Sequence, residues 1–495
     1  MRIPKLGTLS ALALGVFLVG GCDQGLTGVN ENPNAPEEVP VNNLLLGGIW
    51  DVAQNQGARG VFGQWTMLYH AENWAQHVAQ PVYNDEDRYT PRAGIPGQMW
   101  DEMYFALTDL AEAKALAEEE GNDNIWAIAE IMTVYGFMML TDYFDAIPYT
   151  EALQLGEDIS YPVYDAQSDI YPDLITRLTA AATRIDPDAV IDFGDFDPVY
   201  HGDVLGWRMF ANSLRLRLAM RMVNVSPSAA KAEFEAAWNS SIFMSVAHQA
   251  DVDWEPAYPA ANPCYEAIVY GGRPGDFRMS ESLIDRLVAF NDPRLSIYAD
   301  PAVSDGQYRG LRNGLLPGEY TPATTSNDYS KIGTYFLEAT TPSNLLSYAE
   351  VLFLGAEAAA LGWNIGGTAA ALYEDGITAA MEELGIGASD IADYLAQESV
   401  GYTTGTYQRM DAIRVQKWIS LFLAGPEAFS DLRRVGWDFT TDAGTTGADL
   451  VPAENSAIGP SFPSGLTYPE EEVLLNPENY PGDREVTDPM WWMGG

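Results

Sequence analysis

Apolar residues recur at helical spacing through most of this chain, and that periodicity narrows the possible folds more than any other feature. Over residues 98–120, Met99, Met103, Leu107, Leu110 and Ala111 fall on one stripe, and Gly121 stands where a left-handed C-terminal cap is expected. A second helix follows at once over 125–143. Residues 166–185 place Ile170, Leu174, Leu178, Ala181 and Ile185 on one face. Residues 203–222 do the same with Trp207, Phe210, Leu214 and Leu218, with Asp203 as a ready N-cap. Segments 347–363 and 368–384 are rich in Ala and joined by a short Gly-containing turn, so their backbones can approach closely. The last long helix is expected over 408–424.

These paired helices read as antiparallel hairpins of the tetratricopeptide kind without its strict repeat, and the predicted fold class is all-α. Between the helical blocks lie 240–277 and 300–343, dense in Pro, Gly, Tyr and Asn. Irregular segments of that length in a compact protein usually carry function.

The N-terminus has its own pattern. Arg2 and Lys5 precede an apolar run from Leu9 to Val19, then Gly20-Gly21-Cys22. A charged start, a short apolar stretch and small residues before a cleavage point make an export signal rather than a membrane-spanning helix. Small residues just before a cysteine form a bacterial lipobox. Residues 1–21 are therefore expected to be removed and Cys22 to carry a diacylglyceryl thioether, the double-chain anchor that holds stably in a membrane. Residues 22–40, polar and rich in Asn, Gly, Pro and Glu, read as a tether, and 41–495 as one composite body. Cys264 is then left without a partner for a disulfide. The run 125–140 is nearly all apolar but short and interrupted by Glu130 and Thr133, so it reads as a buried core helix.

Charge excludes some functions. The chain holds 26 Lys and Arg against 70 Asp and Glu, a net charge of -44. A nucleic-acid binder needs a basic footprint, so nucleic acid is excluded as a partner. No nucleophile-elbow, zinc-protease or phosphate-loop pattern appears, and four His leave little for acid–base work. His70 and His77 share a helical face with Glu72 nearby, but the spacing offers no third metal ligand, so no metal site is expected. The Asp-rich run Asp186, Asp188, Asp192, Asp195, Asp197 and Asp203 has the hard oxygens calcium takes. It lacks the spaced loop and closing Glu, so no cofactor is expected and a structural calcium is the weaker reading. Arg208, Arg215, Arg217 and Arg221 lie on one helix and are expected to pair with buried acids such as Glu350 and Glu357.

Motifs along the chain carry a family resemblance. They are Val29-Asn-Glu-Asn-Pro-Asn34, Leu140-Thr-Asp-Tyr-Phe-Asp-Ala-Ile-Pro148, Tyr200-His-Gly-Asp203 leading into Trp207-Arg-Met-Phe-Ala-Asn-Ser-Leu-Arg215, and Asn291-Asp-Pro-Arg294. Tyr348-Ala-Glu-Val-Leu-Phe-Leu-Gly-Ala-Glu357, Gln416-Lys-Trp418, Asp431-Leu-Arg-Arg434, Tyr468-Pro-Glu470, Asn476, Asn479 and Trp491-Trp492 follow. Together they resemble the SusD/RagB family over almost the whole mature chain. Ser464-Gly-Leu departs from the pattern, since a basic residue is expected shortly before Tyr468. The resemblance implies an outer-membrane lipoprotein facing the cell surface, which captures oligosaccharides or peptides, sits as a lid on a SusC-like TonB-dependent barrel transporter, and catalyses nothing. A peptide binder of the same family is the alternative, and a surface glycoside hydrolase a more distant one.

Sugar rings present flat C–H faces that aromatic rings stack upon, while amides and charged groups bind the hydroxyls. The candidate ligand-binding residues are Trp74, Tyr83, Tyr89, Tyr265, Tyr270, Arg273 and Tyr308, taken from the irregular segments and their approaches.

Overall fold

The computed structural model describes residues 39–57, 70–154, 159–189, 193–321 and 325–494. Cys22, the signal segment and the opening Asn-rich motif lie outside the described residues. The body, Val41–Gly495, forms one compact unit.

It is built from helices that pack on their neighbours in sequence. α1 (Val41–Gly57), α2 (Gly94–Glu120), α3 (Asp123–Phe144), α4 (Gln167–Arg184), α5 (Val204–Arg221) and α6 (Pro227–Trp238) each lie against the next. After α7 (Glu281–Ala289), α8 (Tyr348–Ala360) and α9 (Ala369–Glu382) form the Ala-rich hairpin. α10 (Ala388–Leu395), α11 (Met410–Ser420) and α12 (Gly425–Val435) follow as the last helices longer than one turn, and α5 meets α8 to join the two halves.

The ends follow local chemistry. Gly121 closes α2 at φ 69°, its N–H reaching the carbonyls of Ala117 and Glu118. Asp203, Ser347 and Thr368 cap α5, α8 and α9 by accepting from the N–H groups of Leu205, Glu350 and Ala371. α3 is long and apolar enough to cross a membrane, yet 94% of that stretch is buried inside the body. It is the central core helix that its sequence predicts.

One expected helix is divided. Residues 408–424 do not run through: α11 stops at Ser420, Leu423 adopts a left-handed φ of 63°, and α12 starts at Gly425 with Pro426 in its first turn. Proline is compatible with a first turn but not with a helix interior, so the chain restarts there.

Buried ion pairs bolt the helices together. Arg217 grips Glu350 at 2.8 and 2.7 Å, and Arg221 reaches Glu427 at 2.5 Å. Glu357 differs from expectation: its bidentate partner is Arg434 of α12, at 2.7 and 2.8 Å, not an arginine of α5. Arg434 and Lys417 also hold Asp431, which stays well below the usual carboxylate range even though burial pushes the other way. Arg215 pairs with Glu233, and Arg208 donates to the carbonyls of Ala182 and Ile185. The arginine face of α5 is thus scaffold.

The strands are short and antiparallel, and they serve the loops. β1 (Val78–Ala79), β2 (Ile147–Pro148), β3 (Tyr164–Asp165), β4 (Ala250–Val252), β5 (Arg278–Met279), β6 (Ala299–Asp300), β7 (Lys331–Ile332) and β8 (Ser343–Leu346) pair as β1–β5, β2–β3, β4–β8 and β6–β7. Three of these pairs stitch the irregular segments to one another or to the approach to α2.

Candidate functional site

The loop segments are held together by polar groups from distant parts of the chain. In the β1–β5 ladder Val78 faces Met279 and Ala79 faces Arg278. Asn313 donates from Nδ2 to the Val78 carbonyl and to Asp87, both at 2.8 Å, and the Gly314 N–H donates to Asp87 at 2.6 Å. Burial still dominates at Asp87 and pushes its carboxyl up to about 7. His77 spends one ring nitrogen on Glu72 and the other on the Trp418 carbonyl, each at 2.9 Å. It is a clamp between segments rather than a ligand for anything.

This stitching puts two of the expected binding residues out of reach. Trp74 is 0% exposed, donates from its indole to the Glu86 carbonyl at 2.9 Å, and meets His70, Tyr89 and Phe429 edge to face. Tyr89 is buried too, its hydroxyl accepting from the Ala453 N–H at 3.0 Å. Both are corrected here to core residues: their rings are wholly consumed by packing, and no face remains for a ligand.

The other candidates lie nearer the surface. Tyr270 closes a π-helical turn, Tyr265–Tyr270, and is exposed. Its ring stacks on Tyr258 at 4.6 Å between centroids and 6° between planes, and Tyr258 is exposed as well. Tyr265 is half-buried at the start of that turn. Arg273 follows it, with its backbone N–H on the Ile268 carbonyl and its guanidinium 3.3 Å from Asp276. Tyr83 is exposed on the loop after β1 at φ 57°, and Tyr308 is half-buried against the core. No ring contact or hydrogen bond among the described residues joins Tyr83 or Tyr308 to Tyr270.

Tyr258 is the member that the sequence reading does not pick out. It sits in the Pro-rich stretch Glu255-Pro-Ala-Tyr-Pro-Ala260, where the Glu255 N–H returns to the Ala260 carbonyl at 2.7 Å to close a small hairpin. An aromatic ring between prolines is the signal that was available.

The pair is held ready rather than loose. Asn262 accepts the N–H groups of Cys264 and Tyr265 at 2.8 and 3.2 Å and donates to the Thr341 carbonyl at 2.7 Å. Glu266 accepts the Ala261 N–H at 3.0 Å, and Gln54 of α1 donates to the Pro259 carbonyl at 3.3 Å. Two rings stacked on each other, with polar groups at the edge, form a platform on which a sugar ring can lie.

Asp186, Asp197 and Asp203 of the Asp-rich run are spent on backbone N–H groups. Asp197 accepts the N–H groups of Val199, Tyr200 and Gly202 at 3.0 Å each, and the Trp207 indole at 2.9 Å. Asp203 caps α5, and Asp192 lies outside the described residues. Among the described residues, no group of three His, Cys, Asp or Glu could hold a metal ion.

Comparison with known proteins decides the family. The profile of the SusD-like family, described as "Starch-binding associating with outer membrane", matches residues 33–454. The chain belongs to the SusD-like family. No curated protein matches it. Among solved structures, a chitin-binding protein shares 26% identity at a TM-score of 0.77, covering 92% of this chain and 100% of that one. A chitin-binding SusD homologue from Flavobacterium johnsoniae shares 25% at 0.76, covering 91% and 98%. A SusD homologue from Bacteroides uniformis shares 25% at 0.77, covering 91% and 99%. The helical hairpins with long connecting loops described above are thus the SusD-like fold.

Proposed function

We propose that this SusD-like protein is a surface-facing outer-membrane lipoprotein, anchored through acyl chains on Cys22, that binds an oligosaccharide on its loops and passes it unchanged to a SusC-like TonB-dependent barrel transporter. The exposed, mutually stacked Tyr258 and Tyr270 carry this reading. Tyrosine rings left in water on an anchored loop gain little from folding, whereas a pyranose face covers them and its hydroxyls meet their polar edges. The family description, with its starch binding and outer-membrane association, supports the same reading, as do the two chitin-binding neighbours.

Titration calorimetry against chitin and starch oligomers, with oligopeptides in parallel, tests the ligand class. Binding to one glycan class is expected, with no shorter products on chromatography after long incubation. Sustained product release would make the protein a hydrolase, and heat with peptides alone would replace sugar by peptide. The anchor and the partner are tested in cells. Cys22→Ala is expected to move the protein into the soluble fraction, and the wild type to bring down a large outer-membrane barrel from detergent extracts. Equal membrane retention of the variant refutes the anchor, and repeated absence of a barrel refutes the partner.

A further inference from the structure

A cleft of about 550 Å³ opens beside the tyrosine platform. Its walls include Trp50 from α1, Phe196 and His201 from the segment before α5, and Asp253, Trp254 and Glu255 at the start of the platform loop. Two links make cleft and platform neighbours. Glu255 lines the cleft and also closes the hairpin that carries Tyr258, three residues on, and three residues of extended chain span at most about 10 Å. Gln54, which holds the Pro259 carbonyl, lies one helical turn from Trp50, so the cleft wall and the platform anchor share a face of α1.

Hydrogen-bonding capacity is left over along that face. The Trp50 indole N–H and the Gln54 Oε1 are buried and have no partner, a donor and an acceptor on adjacent turns.

Carboxylates outnumber basic groups around the cleft. Asp253 meets His201 at 3.1 Å on the rim, and Glu255 is exposed and forms no ion pair among the described residues. Asp197 is spent on the backbone and on Trp207, and no Lys or Arg lines the cleft. In a chain of net charge -44, such a pocket draws in an ammonium group and repels a carboxylate or sulfate.

We propose that this cleft is a second sugar subsite, continuous with the Tyr258–Tyr270 platform, that takes a hexosamine unit bearing a free ammonium group. The proposal rests on the glycan reading above. The aromatic walls of Trp50, Phe196 and Trp254 receive the ring, and Asp253 and Glu255 its charge.

The probes are β-1,4-linked tetramers of glucosamine and of N-acetylglucosamine, titrated into the full chain at low salt and at a pH where the free amine is charged. The glucosamine tetramer is expected to bind about fivefold more tightly than the acetylated one, a preference that shrinks as salt screens the carboxylates. In the double variant Asp253→Asn/Glu255→Gln the ratio should fall to about one, in keeping with the modest worth of exposed charge pairs. Tyr270→Ala should weaken both tetramers and keep the ratio. A wild-type ratio near one, with binding still weakened by Tyr270→Ala, overturns the subsite alone, as does a preference that survives loss of both carboxylates. Failure of the wild type to bind any glycan overturns the platform and the subsite together.

Discussion

Truncation of Arg434 to Ala is expected to lower the unfolding free energy by about 3–5 kcal/mol, because it strands Glu357 in the interior and leaves Asp431 with Lys417 alone. Removing two charges from water is expensive, and only the matching fork geometry offsets that cost here. A loss of this size is a large part of the roughly 5–15 kcal/mol that holds a typical domain folded. The double variant Arg434→Leu/Glu357→Leu should recover most of the loss, since it removes the stranded charge as well as the bond. Urea denaturation of both variants tests this. A single variant within about 1 kcal/mol of wild type would mean that water reaches Glu357.

The second large effect separates two aromatic residues that look alike in the sequence. Tyr270→Ala is expected to weaken glycan binding about thirtyfold, roughly 2 kcal/mol, with the melting temperature nearly unchanged. Trp74→Ala should do the reverse at the level of cause: it opens a cavity in the core costing about 3–5 kcal/mol, and any binding it loses is lost through unfolding. Calorimetry paired with thermal melts distinguishes them. Full affinity in Tyr270→Ala would remove the platform from the site, and a Trp74→Ala protein that melts normally would contradict the packing described above.

The helical half of the fold was legible because its information is local. The stripes in α2, α4, α5, α8 and α9, with Gly121, Asp203, Ser347 and Thr368 at their ends, are written within a few residues of where they act. The break between α11 and α12 was less so, because apolar residues run straight across Leu421 and Leu423 and only Pro426 marks the restart. Trp74 and Tyr89 were misread for a different reason. They stand among Glu72, Asn73, His77, Asn84, Glu86 and Asp87, a composition that suggests a wetted loop. Those polar groups are in fact buried, and the partners that make burial affordable include Leu315, Gly314 and Trp418, hundreds of positions away. Tyr258 shows the converse. Its stacking on Tyr270 depends on how one small hairpin folds over another turn, and no periodicity encodes that.

The hairpin at Glu255-Pro-Ala-Tyr-Pro-Ala260 is closed by one backbone hydrogen bond and leans on α1 through Gln54, while the arginine–carboxylate bolts that fix the helices lie elsewhere. Under the proposed function, recognition and stability are therefore carried by residues that barely interact, and changes at such separate places tend to add rather than conflict. For an evolving lineage this separates what must be kept from what is free to drift. With the platform as the binding site, a handful of substitutions in the hairpin would retarget the protein to a new polymer while the helical frame stays as it is, so a shared frame among distant cousins would be a poor guide to a shared diet.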